Sequence, residues 1–253
     1  MLPSFAMAQI SDGTMSEKAK SAQKMQNVLY PQIQLPITYN YNQKLALDSQ
    51  SQQNQYAFNP IFPVALGSDF RLIVNPMLTL NRNVADQQVT NQSQPLQVAT
   101  YLGPAYAKSF YAGIGPYVQF PANNANNGSK QTGLGVSAAA FFAPEHWVMG
   151  AVIYNSWGVG SNMSGGSANL VNVQPSISYT TDAAWTYSLG SQVVYNYDSK
   201  AATNQLTFSG GKTIELFGYH TQIQAGPTYM VTTTPTSAKG FGGFLGLTIL
   251  MPK

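Results

Sequence analysis

Residues 171–179 read VNVQPSISY, and their side chains sort by parity. Val171, Val173, Pro175, Ile177 and Tyr179 share one face of an extended chain; Asn172, Gln174, Ser176 and Ser178 share the other. This is a strand with one apolar and one polar side. In a soluble sandwich the polar side meets water and usually carries Lys, Glu and Asp. Here it is uncharged.

The whole chain repeats that pattern. Only 8% of its 253 residues are charged, against roughly 25% in an average soluble domain. The missing charge is not replaced by apolar residues: these make up 44%, mean hydropathy is -0.11 and aromatic residues reach 12%. Asn, Gln, Ser, Thr and Gly fill the balance. No apolar run approaches the roughly 18 residues of a membrane helix. Uncharged, aromatic-rich, alternating segments describe an all-β fold: a transmembrane antiparallel up-and-down β-barrel, with lipid outside and a polar lumen. The net charge of +3 is too small to argue for nucleic acid. With no cysteine, disulfides and thiolate metal sites are excluded.

Residues 1–8 are read as the tail of a secretion signal, with Ala6-Met7-Ala8 forming an A-x-A processing pattern before Gln9. Residues 9–30 form a periplasmic linker and helix. Thr14 and Glu17 have capping-box spacing, and Met15, Ala19, Ala22, Met25 and Leu29 make one stripe, with Lys18, Lys20 and Lys24 beside it. This basic helix is expected at the periplasmic mouth. Residues 31–253 form the barrel.

The clearest strands are IQLPITYNY (33–41), FRLIVNPMLTLN (70–81), FYAGIGPYVQF (110–120), LGVSAAAFF (134–142), HWVMGAVIYNSW (146–157), the opening segment, and AWTYSLGSQVVYNY (184–197). Weaker ones lie near 55–65, 95–103, 204–214, 220–231 and 240–251, about twelve in all, an even number as bacterial single-chain barrels have. Short turns at 66–69, 144–145, 181–183 and 215–219 alternate with longer polar links at 83–93, 122–131 and 158–168. Such alternation is that of periplasmic turns and outer loops. Pro36, Pro60, Pro76, Pro116, Pro175 and Pro227 fall inside strands, where bulges or broken ladders are expected, helped by Gly115 and Gly226.

Parity assigns Gln34, Asn40, Arg71, Asn75, Tyr117, Gln119, Asn172, Gln174, Gln192, Asn196, Gln222 and Gln224 to the lumen. Arg71 is expected to pair with Asp69, since buried charges tend to be partnered. Trp147, Tyr179 and Trp185 lie beside short turns; Tyr41, Trp157 and Tyr197 lie beside long links. They form two interfacial aromatic girdles. Twelve strands give a backbone diameter of about 24 Å, leaving on the order of 12 Å inside. A lumen of amides without rings of charge suits small neutral or weakly polar solutes.

The stretches AQKMQNVLYPQIQLPITYNYN, VIYNSWGVG and VNVQPSISYTT, and the end FLGLTILMPK, resemble the outer-membrane transporter-like barrels grouped as the MetA-pathway phenol-degradation family. The likeness spans roughly residues 18–253. It implies a channel in the bacterial outer membrane for small, often aromatic compounds. It also implies contact with outer-membrane lipid and lipopolysaccharide, and folding by the barrel assembly machinery. Such barrels often end in an aromatic residue, whereas this chain ends Met251-Pro252-Lys253.

Two other readings compete with a channel: a structural or adhesive barrel displaying loops, and an outer-membrane hydrolase using Ser/His groups. For the hydrolase the chain offers only His146 and His220, both at short turns. There is no G-x-S-x-G, P-loop or metal-spaced histidine pair. No catalytic residue, metal or cofactor is therefore assigned.

Overall fold

A computed structural model describes residues 15–45, 48–85, 88–121, 131–160, 168–234 and 237–252. One helix, α1 (Glu17–Lys24), precedes the strands. Ser16 caps it, its hydroxyl accepting from Ala19 N at 3.2 Å, so the helix starts at Glu17 and is shorter than its apolar stripe suggested. The sequence then forms β1 (Gln34–Leu45), β2 (Asp48–Phe58 continuing as Phe62–Leu66), β3 (Phe70–Ala85), β4 (Gln88–Ser93 continuing as Gln97–Pro104), β5 (Phe110–Gln119) and β6 (Thr132–Phe142). These are followed by β7 (Trp147–Val159), β8 (Leu170–Thr180), β9 (Trp185–Asn196), β10 (Ala201–Leu216), β11 (Tyr219–Thr232) and β12 (Gly240–Leu250).

Two strands are broken by proline but keep their place in the sheet. β2 pairs with β3 in one register above and below Pro60, from Phe58 opposite Leu78 to Phe62 opposite Val74. β4 also stays on β3 across Pro95, with a one-residue slip. Each strand pairs antiparallel with its sequence neighbours, and β1 closes the ring on β12, from Gln34 opposite Leu250 to Asn42 opposite Gly242. The result is a closed, antiparallel, twelve-stranded up-and-down barrel. Closure satisfies the backbone hydrogen bonds that hydrocarbon would leave unmade.

All six in-strand prolines coincide with missing rungs. Pro60 and Pro76 fall opposite each other in the gap between Phe58–Leu78 and Phe62–Val74. Pro116 sits where β5 loses β4, and Pro175 where β8 loses β9. Pro227 sits where β11 loses β10, and Pro36 offers β2 only its carbonyl, to Asn59 N. A proline has no N–H for a ladder, so the chain omits one rung and keeps the register. Bulges occur elsewhere, at Gln43–Leu45 and Asn204–Gln205. Beside two of the gaps, a Cβ on Gly115 would lie 2.3 Å from Thr100 O, and one on Gly226 only 1.9 Å from Phe208 O. Both positions require glycine.

Facing follows parity. Ile37, Leu78, Leu80, Leu134, Ile153, Ile177, Leu189, Phe208 and Ile223 are exposed on the outer wall, while Gln34, Asn42, Asn75 and Ser137 are buried inside. Of the aromatic residues expected at strand ends, the Trp147 and Tyr179 rings lie 4.8 Å apart at the end of the barrel that holds α1, and Lys212 Nζ sits 5.2 Å over Trp185. At the far end Tyr195 and Tyr197 meet edge to face at 5.4 Å, near exposed Trp157. Tyr41 is half-buried at the same level on β1.

Part of the expected loop pattern changes. Much of the polar 83–93 link is strand, with β3 running to Ala85 and β4 starting at Gln88. The β9–β10 link, at the end of the barrel away from α1, is a tight turn at 197–200, so short connections are not confined to one end. The expected loop segments at 122–130 and 161–167, and residues 1–14, lie outside the described residues.

Facing predicts folding. Ile153→Arg places a cation at mid-strand on the lipid face and should lower stability by about 2–4 kcal/mol. Gln192→Arg, on the inner face, should refold like the parent. Equilibrium refolding into detergent or lipid, read by heat-modifiable gel mobility, checks both.

Candidate functional site

The lumen is divided lengthwise. On the β3–β7 side, Ile73, Met77, Ala99, Tyr101, Tyr117, Ala139, Phe141, Val148 and Tyr154 form an apolar core, completed by Ile61 and by Leu29 from the N-terminal segment. Tyr117 and Tyr154 stack there, 5.3 Å apart and 5° from parallel. This half is packed rather than open.

The other side holds a cavity of about 480 Å³. Gln34, Asn40, Gln55, Gln174, Gln192 and Gln205 line it, and Phe141, Val152 and Phe244 add apolar surface. A second space of about 250 Å³ shares Gln55, Gln192 and Gln205 with it and continues past Asn42 and Gln53 to Ser237 and Ala238 in the β11–β12 loop. A polar path thus runs along one wall from the outer end to the floor. Cross-strand bonds orient its amides: Gln55 Nε2 donates to Asn81 Oδ1 at 3.2 Å, and Gln174 Nε2 to Tyr154 Oη at 2.6 Å.

The floor is the N-terminal segment. Met25, Gln26 and Val28 line the cavity's lower end. Ala19 and Ala22 of α1 are fully buried, and the helix packs on β8, β9, β10 and β11. Small side chains on that face permit close approach to the barrel wall. Its attachments are mainly polar. Gln26 Nε2 donates to Gln222 Oε1 at 2.7 Å, Ser188 Oγ to Gln26 Oε1 at 3.2 Å, and Gln34 Nε2 to Asn27 O at 3.0 Å. Gln23 reaches the Glu145 carbonyl, and Ser21 Oγ lies 2.6 Å from His220 Nδ1. The lysines are engaged locally: Lys18 with Glu215 at 3.9 Å, Lys20 with Glu17 at 2.8 Å, and Lys24 over the Tyr30 ring. The Lys20 ammonium, hydrogen-bonded to Glu17, holds that carboxyl below its ordinary pKa.

Of the twelve residues that parity places inside, Gln34, Asn40, Gln174 and Gln192 line the main cavity. Gln222 lies beneath it, bound to Gln26 and donating to Thr186 Oγ1 at 3.0 Å. Asn75 is spent on the wall itself, donating to Asn59 O at 3.1 Å and Pro60 O at 3.0 Å. Arg71 donates to Ala105 O at 2.8 Å in a small space beside Leu29 and Tyr111, while Asp69 accepts from Ser68 instead of pairing with it. Tyr117, Gln119 and Asn172 are buried away from the cavity, Gln224 lies over Gly211, and Asn196 accepts from Asp198 N and Ser199 N to cap the outer turn.

Parity also placed Asn42 in the lumen, where it lines the second space, but the reading missed Gln53, Gln55 and Gln205 as cavity residues. For Gln53 and Gln55 the signal was weak because DSQSQQNQ (48–55) is polar on both faces, so no period shows.

The histidines lie at the end of the barrel that holds α1. His146 Nδ1 is 2.7 Å from Thr180 O, with Asp182 3.7 Å from Nε2. His220 meets a serine, but Ser21 is only 4% exposed and, among the described residues, no carboxylate pairs with that histidine. The contact latches α1 to β11.

No family model matches the chain, and no curated protein matches it in sequence. Among solved structures it is similar to an outer-membrane channel from Pseudomonas putida, at 15% identity and a TM-score of 0.66 over 87% of this chain and 96% of that one. It is also similar to the NanC porin, at 8% identity and 0.52 over 87% and 100%. Outer-membrane phospholipase A from Escherichia coli follows at 12% identity and 0.50 over 89% and 99%. These likenesses identify the fold as the outer-membrane β-barrel.

Gln222 bridges floor and wall. Gln222→Leu removes bonds to Gln26 and Thr186 and should loosen the floor by about 1–3 kcal/mol, the cost of leaving buried polar groups unpaired. Hydrogen–deuterium exchange should then quicken across residues 17–26 while the β11 and β12 ladders stay protected.

Proposed function

We propose that the protein is a bacterial outer-membrane channel for small neutral or weakly polar solutes, entering through the amide-lined half of the lumen and held back by the N-terminal segment at its floor. The observation that carries this reading is the polar path from the β11–β12 loop to Met25 and Gln26, set beside a packed apolar half. A barrel that only displayed loops would have no need of such a path.

The amides offer donors and acceptors without fixed charge, so the path discriminates weakly among ions and favours solutes that exchange hydrogen bonds with it. Phe244 adds a face against which a small ring can lie. That mixture agrees with the aromatic compounds implied by the likeness to the phenol-degradation barrels. A hydrolase is disfavoured by the positions of His146 and His220, both committed to holding turns or helix at the periplasmic end.

Deleting residues 9–27 should leave barrel assembly intact and raise single-channel conductance in planar bilayers several-fold. Unchanged conductance in a folded deletion variant defeats the gating role. Converting both Gln55 and Gln192 to Asp should turn a weakly selective path cation-selective, seen as a shifted reversal potential under a salt gradient.

A further inference from the structure

Outside the lumen, one place on the barrel wall departs from the lipid-facing pattern. The outward side chains of β3 are apolar from Phe70 to Leu80, the length of strand that a tilted crossing requires. The next outward residue is Arg82, one of two arginines in the chain. It therefore sits where hydrocarbon gives way to headgroups, at the end of the barrel opposite α1.

Its surroundings are uncharged and rich in amides. Register places Arg82 between Asn54 of β2 and Asn91 of β4, directly above the row Tyr56, Leu80 and Ser93. Tyr56, Leu80, Arg82, Asn91 and Ser93 border an external groove of about 340 Å³, whose lining holds no acidic residue, and Asn54 stands next to Arg82 at its rim. Tyr56 and Leu80 at its lower edge are 47% and 57% exposed. Tyr39 Oη donates to Asn54 Oδ1 at 2.6 Å, which leaves the Asn54 Nδ2 hydrogens free to donate. Among the described residues Arg82 has neither an ion pair nor a hydrogen-bond partner of its own.

A guanidinium at the edge of the apolar belt calls for an anion, and its planar fork matches phosphate oxygens. Acyl chains need an apolar track directly beneath, which Tyr56 and Leu80 supply. We propose that this groove binds the phosphorylated headgroup of an outer-leaflet glycolipid, the phosphate of lipopolysaccharide. Arg82 grips the phosphate, Asn54 and Asn91 donate to it, and an acyl chain lies along Tyr56 and Leu80. The inference rests on the barrel's orientation in the outer membrane and is independent of what passes through the lumen.

The test uses the full folded chain in detergent micelles and three probes: bis-phosphorylated lipid A, the same lipid A stripped of its phosphates, and inorganic phosphate. The parent should bind phosphorylated lipid A at least about tenfold more tightly than Arg82→Ala does, the size expected for a lost hydrogen bond to a charged group, with Arg82→Lys in between. Both Arg82→Ala and parent should bind the stripped lipid equally weakly, and channel conductance should be unchanged in the variant. Equal affinity of parent and Arg82→Ala for phosphorylated lipid A would overturn the proposal. So would full displacement of lipid A by millimolar inorganic phosphate, which would mark a free-anion site in place of a lipid site.

Discussion

Everything in this structure depends on one demand: inside hydrocarbon, a backbone amide must find its partner on a neighbouring strand. Pairing β1 with β12 meets that demand for the ring as a whole, and alternation of side chains follows from it. The prolines are the local exceptions, and polar side chains, mostly inward ones, repair two of the gaps. Asn75 donates to two carbonyls in the gap between Pro60 and Pro76. Around Pro116, Ser137 Oγ donates from inside to Thr100 O at 2.7 Å, and Thr100 Oγ1, on the outward face, donates to Pro116 O at 2.8 Å. Polar residues on the inner face therefore serve the wall as well as the lumen.

That double use explains why the lumen is asymmetric. A ring of twelve strands encloses more space than its own side chains fill evenly. Here the β3–β7 arc carries Ile, Met, Phe and Tyr inward and forms a core with Leu29, whereas β1, β2 and β8–β10 carry Gln, Asn, Ser and Thr inward and leave a cavity. The apolar half anchors the N-terminal segment through Leu29. The polar half is left for solute.

The fold was legible because lipid enforces period two wherever a strand crosses it, as VNVQPSISY displays. Legibility failed above the membrane, where both faces meet water: the polar ends of β2, β3 and β4 carry no alternation, and their residues read as links. Inside, parity could say which side chains point inward but not which of those meet open space. Asn75 and Gln174 are indistinguishable by that rule, yet one mends a proline gap and the other borders the cavity. The difference is set by what lies across the lumen, which one strand's sequence does not contain.

The two halves also differ in how firmly they hold. The wall is a continuous ladder whose rungs break only together, because freeing one strand exposes its neighbours' amides to lipid. The floor is held by side-chain bonds, among them those of Gln23, Gln26, Ser21 and Gln34, each contributing about 0.5–1.5 kcal/mol net. Local opening draws on the elements with the fewest buried apolar contacts, and α1, whose buried side chains are two alanines and a serine, has few to lose. Leu29, sunk in the apolar half, is a second and separate anchor of the segment. In the proposed channel, opening is therefore a matter for the floor of the polar path, where it need not disturb the wall.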